Sequence, residues 1–433
     1  MLRVPEDPAR RTMFYSLLEG SSVQIFLNWT TGIVLTGFML HLGARPSELA
    51  LVASVPFLAQ MISPFAAWWA GRLGKRKDLT LLTSILGRAL WVLAALLPLL
   101  NVPEAFRPTF VVLLVAVSSA LQAAAGTLWQ AWMGDVIPEE ERGKYMGFRT
   151  GLVGVIGMLG NLLAGWLLDR LPAPYNFQLV LLIGVGFALV AAFFLKQHHE
   201  PAGKVLRFKL LDTFVLPLKD QNFRRYLRFS AYWMVAVMLC SGFVFPYFLK
   251  VVKMSFTTLA LWTALASIAA MILTPLWGAV ADRWGNKPVL AIGTFVAGTL
   301  MPISWMLGGI TGNMGFLWAA AIFDALAWGA INPALFNLVL ASSPNHTRAS
   351  YFAMFNLLTG FAGFLGGIVS GALMEWFPHI FGATNAYHAL FILAGVLRAC
   401  AWMLLRPITE ARAHRTRDVL RYIGQHLIPV RKF

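Results

Sequence analysis

The stretch whose reading decides the fold is Pro275–Pro288, PLWGAVADRWGNKP. An apolar segment runs into it, an acidic–basic pair and a glycine follow, and a second apolar segment leaves it. Gly278 and Gly285 permit close backbone approach and a tight turn. The pattern stands 211 residues upstream as well, in Pro64–Lys77, PFAAWWAGRLGKRK, where Pro64, Ala70, Arg72 and Gly74 fall on Pro275, Ala281, Arg283 and Gly285. A turn between two apolar segments, written twice, implies a chain built from repeats.

Outward from this turn the chain is apolar almost throughout. Hydrophobic residues make up 58% of its 433 residues and charged ones 12%, a composition outside the soluble range. Twelve apolar spans are expected near Thr12–His41, Ser47–Ala70, Asp78–Leu100, Pro108–Met133, Tyr145–Arg170, Phe177–Lys196, Tyr226–Lys250, Phe256–Ala281, Pro288–Ile310, Gly315–Ala341, Ser350–Glu375 and Ala386–Leu405. At about 1.5 Å per residue each can cross a bilayer as a helix. The spans are continuously apolar, without two-residue alternation, which excludes a closed barrel. The expected class is therefore an all-α polytopic membrane protein with twelve transmembrane helices. Residues 1–196 form a first six-helix bundle and 197–225 a basic linker carrying Pro201 and Pro217; 226–405 form a second bundle and 406–433 a basic tail.

The net charge of +16 would suggest nucleic acid in a soluble chain, but its distribution argues for topology. Of 35 Lys and Arg, 28 fall in alternate connecting segments and the two ends, five in the other set, and two inside spans. That is the positive-inside pattern, which places both termini in the cytoplasm of a chain in the inner (plasma) membrane. The basic charge then faces anionic headgroups, so the bilayer is the expected partner and nucleic acid is not. The two cysteines, Cys240 and Cys400, lie in spans and imply no disulfide framework. No phosphate loop or metal-ligand spacing appears, so neither a cofactor nor a metal is expected. The start, MLRVPEDPARR, does not read as a signal peptide, and the first span is expected to stay as an anchor.

The halves repeat beyond the turn. At a constant offset of 206, Pro138, Arg142, Tyr145, Gly154, Gly157, Gly160 and Gly165 meet Pro344, Arg348, Tyr351, Gly360, Gly363, Gly366 and Gly371, and Asp169 meets Glu375. Two parallel six-helix repeats are what such a match implies. Small residues at three- and four-residue spacing also let helices approach closely in lipid, so tight packing and a sliding face are both open readings of these glycines.

The block Gly278-x-x-x-Asp282-Arg283-x-Gly285-Asn286-Lys287 resembles the loop signature of the major facilitator superfamily of transporters. The resemblance covers essentially the whole chain. It implies twelve helices in two pseudo-symmetric bundles around a central site opened alternately to each side. It implies a cytoplasmic gate, which on this chain falls on Arg72, Asp135, Arg142, Asp282 and Arg283. The first copy has Gly71 where the second has Asp282, while Asp135 has Ala341 as its counterpart. An Arg72–Asp135 pair is thus expected in one half and Asp282 in the other; charges that merely set topology are the plainer reading. The Gly-Pro pair of many drug antiporters is missing from the fifth span.

Charge within hydrocarbon is costly and therefore informative. Glu19, Arg88, Asp324 and Arg398 are the expected intramembrane ionisable residues. A carboxylate that alternates between neutral and ionised forms can carry a proton, which makes Asp324 and Glu19 candidates for coupling. The structural alternative pairs Glu19 with Arg88 and Asp324 with Arg398, the second pair offset in depth. The resemblance favours Asp324, because the tenth span lines the cavity in that family. Neutral polar and aromatic residues supply a candidate cavity wall: Gln24, Asn28 and Thr31 on the first span, Gln122 and Trp129 on the fourth, Tyr232 on the seventh and Trp328 on the tenth. Helix–helix bonding is the alternative role for each.

The expected function is a secondary active transporter of a small organic, amphipathic solute, proton-coupled and monomeric, with export preferred over import. An uncoupled facilitator or a flippase of lipid-like solutes is the alternative within transport, and a non-transporting receptor the alternative outside it. No paired nucleophile and base stands at one depth, so an enzyme is not expected.

Overall fold

The computed structural model describes residues 5–73, 76–201, 215–344, 347–410, 413–414 and 416–419. Among these there is no strand, and twelve helices are long and apolar enough to cross a membrane. They are α1 (Pro8–His41), α2 (Pro46–Trp69), α3 (Lys77–Ala95), α4 (Glu104–Val136), α5 (Glu139–Arg170) and α6 (Tyr175–Lys196), then α7 (Gln221–Lys250), α8 (Phe256–Trp284), α9 (Asn286–Thr311), α10 (Met314–Ser342), α11 (Ser350–Phe381) and α12 (Ala383–Leu405). The protein is an all-α, multi-pass membrane protein, as its composition requires. With no water in hydrocarbon, each peptide must bond within its own segment, and the helix meets that demand.

Local chemistry sets the ends. Asp7 caps α1 by accepting from Arg10 N at 2.9 Å. The turn within Pro275–Pro288 is a single residue long. The eighth helix runs on to Trp284, Gly285 adopts φ +94°, and α9 begins at Asn286. Only glycine takes such a φ without strain. The fifth helix begins at Glu139, earlier than the expected Tyr145. The first helix breaks where none was expected: Thr31 is extended (φ −133°, ψ −171°) and Gly32 restarts the helix at φ +56°.

Two compact units make up the chain. The first holds Met1–Leu210 together with Ser241–Leu261 and Gly367–Glu375. In it α1 packs on α5 and α6, and α4 on α2 and α3. A buried cluster of Trp132, Met133, Val136, Ile137, Tyr145 and Leu195 joins the basic ends of α4, α5 and α6. The second unit holds Leu211–Cys240, Trp262–Gly366 and Trp376–Phe433. There α9 packs on α10 and α12. Gly298 and Gly395 bring α9 and α12 into backbone contact; a Cβ on Gly298 would lie 2.6 Å from Ala399 N.

The sequence repeat is a repeat of contacts. Gly160 of α5 seats against Ile25 and Trp29 of α1, while its counterpart Gly366 of α11 seats against Val235 and Met238 of α7. Gly165 meets the start of α8, at Phe256 O and Ala260, while Gly371 meets the start of α2, at Ser47 and Ala50. Asp169 completes the α5–α8 contact by accepting from Phe256 N (3.0 Å) and Thr257 N (2.7 Å). A carboxylate on two free helix-terminal amides is a favourable cap.

Candidate functional site

Three ionisable side chains meet inside the first unit. Glu19 is 4% exposed and Arg88 7%. The Glu19 carboxylate accepts from Arg149 Nη2 at 3.3 Å, so the expected Glu19–Arg88 pair is not the one formed. Arg149 also donates through Nε to Ser16 Oγ (3.0 Å) and Ser16 O (3.2 Å), and lies 4.4 Å above the ring of Trp129. Gly20 makes this possible, because a Cβ there would sit 2.4 Å from Arg149 Nη2. Arg88 is held close to Glu19 electrostatically, yet its Nε and Nη1 are buried with no hydrogen-bond partner. Its neighbour Gly87 fixes the α3 backbone against α4, with Ser118 O, Leu121 Cβ and Gln122 Cγ within 3.2 Å of the missing Cβ.

In the second unit Asp324 of α10 is half-buried and stands one turn from Trp328, whose ring lies 6.2 Å from that of Trp233. Arg398 is 2% exposed. It donates to Ala236 O (3.3 Å), Val237 O (2.9 Å) and Ala297 O (3.3 Å), and to Cys240 Sγ (3.0 Å). Among the described residues no ion pair ties Asp324 to Arg398. The guanidinium is bonded instead by carbonyls of α7 and α9.

Several cavity candidates make bonds between helices. Gln24 donates to Asn28 Oδ1 (3.0 Å), and Asn28 donates to Gly157 O (2.6 Å), locking α1 on α5. Tyr232 donates to Leu397 O (2.8 Å), locking α7 on α12. Gln122 donates to Ser118 Oγ (3.2 Å), and Thr31 to Leu27 O (2.8 Å) at the break in α1. Trp129 Nε1 is buried without an acceptor. Between Gln122 and Trp129 on α4, Gly126 faces open space, as do Gly147, Gly151 and Gly154 on α5.

The basic turns are clasped alike in both units. Glu200 accepts from Arg76 N (2.5 Å) and Lys77 N (2.9 Å) at the start of α3. Glu410 accepts from Asn286 N (2.9 Å), Asn286 Nδ2 (2.9 Å) and Lys287 N (2.8 Å) at the start of α9. Asp135 is bonded by Arg76. For its expected partner Arg72 the backbone lies in a helix and the side chain lies outside the described residues. Arg142 Nη2 donates to Gly134 O (2.7 Å) and Ile137 O (3.3 Å), closing the turn from α4 to α5. Asp282 and Arg283 are exposed on the last turn of α8, with Arg283 5.6 Å over the ring of Trp284. Beside the first clasp His198 packs on Trp132, its Nδ1 2.9 Å from Phe194 O and its Nε2 without a partner; burial pushes this imidazole down to about 4.

Sequence reasoning missed Arg149, Glu200, Glu410 and Arg76. Arg149 stands near the cytoplasmic end of the expected span Tyr145–Arg170, where a basic residue reads as setting topology. Spacing could have found it, since Tyr145 and Arg149 lie one turn apart and both bond to α1.

Known proteins carry the same pattern. The family model described as Major Facilitator Superfamily matches residues 20–250 and 240–431. Over 132 residues the chain is 25% identical to the quinolone resistance protein NorA of Staphylococcus aureus (30% of this chain, 33% of that protein). Over 127 residues it is 28% identical to the efflux pump dotC of Dothistroma septosporum (29% of this chain, 21% of that protein). It thus spans about a third of the length of NorA and less of dotC. Among solved structures it is similar in fold to the nucleoside transporter NupG (TM-score 0.71, 15% identity, 92% of this chain and 98% of that one). It is likewise similar to a D-xylose–proton symporter (0.70, 16%, 94% and 98%). The inward-facing, occupied bacterial homolog of the human lysosomal transporter Spinster is a further match (0.72, 15%, 95% and 100%).

Proposed function

We propose that this chain, which belongs to the Major Facilitator Superfamily and so to a family of transporters, is a proton-coupled secondary transporter of a small organic, amphipathic solute. It is not an enzyme in this reading. Residues 1–196 and 226–405 act as two six-helix halves that rock about a central site, and the turns at Arg76–Lys77 and Gly285–Lys287 lie on the cytoplasmic side, where the positive-inside rule puts them. The chain works as a monomer in the inner (plasma) membrane with both termini in the cytoplasm.

The observation that carries the coupling is Asp324. It is a carboxylate within a membrane helix, and among the described residues no ion pair joins it. Such a group can exchange a proton without first breaking a buried salt bridge. Glu19, held by Arg149, is the second candidate. The aromatic groups in these regions (Trp129 under Arg149, Trp233 against Trp328) support a solute with a flat or apolar body. The partial likeness to a quinolone resistance protein and an efflux pump supports export.

The test begins with a thermal-shift screen of organic solutes on the purified protein, followed by transport of the hits in proteoliposomes with and without a pH gradient. Gradient-driven accumulation by the wild type, lost in Asp324→Asn with passive equilibration retained, supports the reading. Accumulation that survives in both Asp324→Asn and Glu19→Gln rules out the coupling assignment.

A further inference from the structure

We propose that the solute carries a carboxylate and that Arg88 binds it, completing a site of which Trp129 and Gln122 form the wall. This deepens the transport reading and rests on it. The first observation is a surplus of donors. Arg88 is 7% exposed, with Nε and Nη1 buried and unpartnered, and Trp129 Nε1 is a third buried donor with no acceptor. The nearest acidic group is already engaged, since Glu19 accepts from Arg149 at 3.3 Å. A buried guanidinium without acceptors is unfavourable and persists where a ligand supplies them.

The second observation is charge. With Glu19 ionised, two guanidiniums stand against one carboxylate, leaving one positive charge uncompensated. A monoanion balances it; a dianion such as a phosphate ester leaves one negative charge in the hydrocarbon region. The third is space. Gln122, Gly126 and Trp129 recur at helical spacing along α4, and a Cβ on Gly126 meets nothing within 4 Å. A Cβ on Gly87 would lie 3.2 Å from Gln122 Cγ, so α3 packs closely on α4 beside Arg88. In the proposed site the Arg88 cation and the unpartnered Trp129 N–H both serve this opening. An organic carboxylate has the matching parts: two acceptor oxygens for the guanidinium and indole N–H, and an apolar body for the ring.

The probes are acetate, benzoate and octanoate, each against its amide, with inorganic phosphate and phosphatidylglycerol as separate arms. Melting temperature of the full-length protein in neutral detergent is the readout, which needs no transport and so separates failure of this site from failure of the transport reading. At least one carboxylate is expected to raise the melting temperature while its amide does not, with affinity at least about tenfold weaker in Arg88→Gln and partly kept in Arg88→Lys. Trp129→Phe, which keeps the ring and loses the N–H, weakens it too. Ligand-free Arg88→Gln melts no lower than the wild type, because it removes an unpaired buried charge. The proposal is overturned if no carboxylate shifts the wild type more than Arg88→Gln. It is equally overturned if only phosphate or phosphatidylglycerol gives an Arg88-dependent shift, or if ligand-free Arg88→Gln melts several degrees lower.

Discussion

Gly20→Ala should loosen the Glu19–Arg149 pair without touching either partner. An added Cβ would lie 2.4 Å from Arg149 Nη2 and 2.8 Å from Cζ, whereas ordinary contact begins at 3.4 Å. The guanidinium must therefore retreat by 3.4 − 2.4, about 1 Å, away from α1, on which Glu19 sits. Its bond to Glu19 Oε2 is already 3.3 Å long, so this retreat takes it beyond hydrogen-bond reach. Because the obstructing group is the end of a flexible side chain, the steric cost is small and the loss is that of the pair. Breaking a fully buried pair costs about 3–5 kcal/mol. Arg149 keeps the ring of Trp129 and a side chain 16% exposed, which brings the expected cost to about 1–3 kcal/mol. Unfolding in detergent micelles of Gly20→Ala, Arg149→Met and the double variant measures it. The alanine should be costly in the wild type and nearly free in Arg149→Met. An equal cost in both backgrounds, or none in either, refutes the steric link between Gly20 and Arg149.

Other outcomes follow from the same geometry. His198 is neutral when folded, with its imidazole at about 4 rather than 6.5, so the unfolded chain takes up the proton first as pH falls. Stability is full above pH 6.5 and drains towards pH 4, by about 2 kcal/mol between pH 7.5 and 5, and His198→Leu should flatten that part of a pH–melting curve. Glu200→Gln and Glu410→Gln each remove a carboxylate from a helix start, costing about 1–2 kcal/mol in detergent unfolding; equal effects in the two are expected because the clasps are alike. Gly165→Val forces a side chain against Phe256 O, 2.7 Å from the Cβ position, and should lower stability by about 1–3 kcal/mol, while Gly126→Ala, which meets nothing, should melt as the wild type does.

The twelve spans and their repeat were legible because bilayer thickness leaves few choices of length and because glycines recur at fixed offsets. Gly160 with Gly366, and Gly165 with Gly371, sit in equivalent contacts, so that pattern reported packing directly. The charge pairs were not legible. Depth along a helix can be counted from sequence, but the direction a side chain faces depends on neighbouring helices. Thus Glu19 met Arg149 rather than Arg88, and Arg398 found carbonyls rather than Asp324. The clasps escaped for another reason: Glu200 and Glu410 stand in polar segments, where any one acid looks like any other until it reaches a helix start.

Alternating access itself is tested most directly by a single cysteine at Gly126, about 15 Å from the Val136 end of α4. In a Cys240→Ser, Cys400→Ser background, Gly126→Cys would be exposed to a membrane-impermeant thiol reagent from either face of oriented vesicles, at two pH values and with a stabilising solute. Alternating access predicts labelling from one face in one condition and from the opposite face in another. Labelling from the same face under every condition would contradict it.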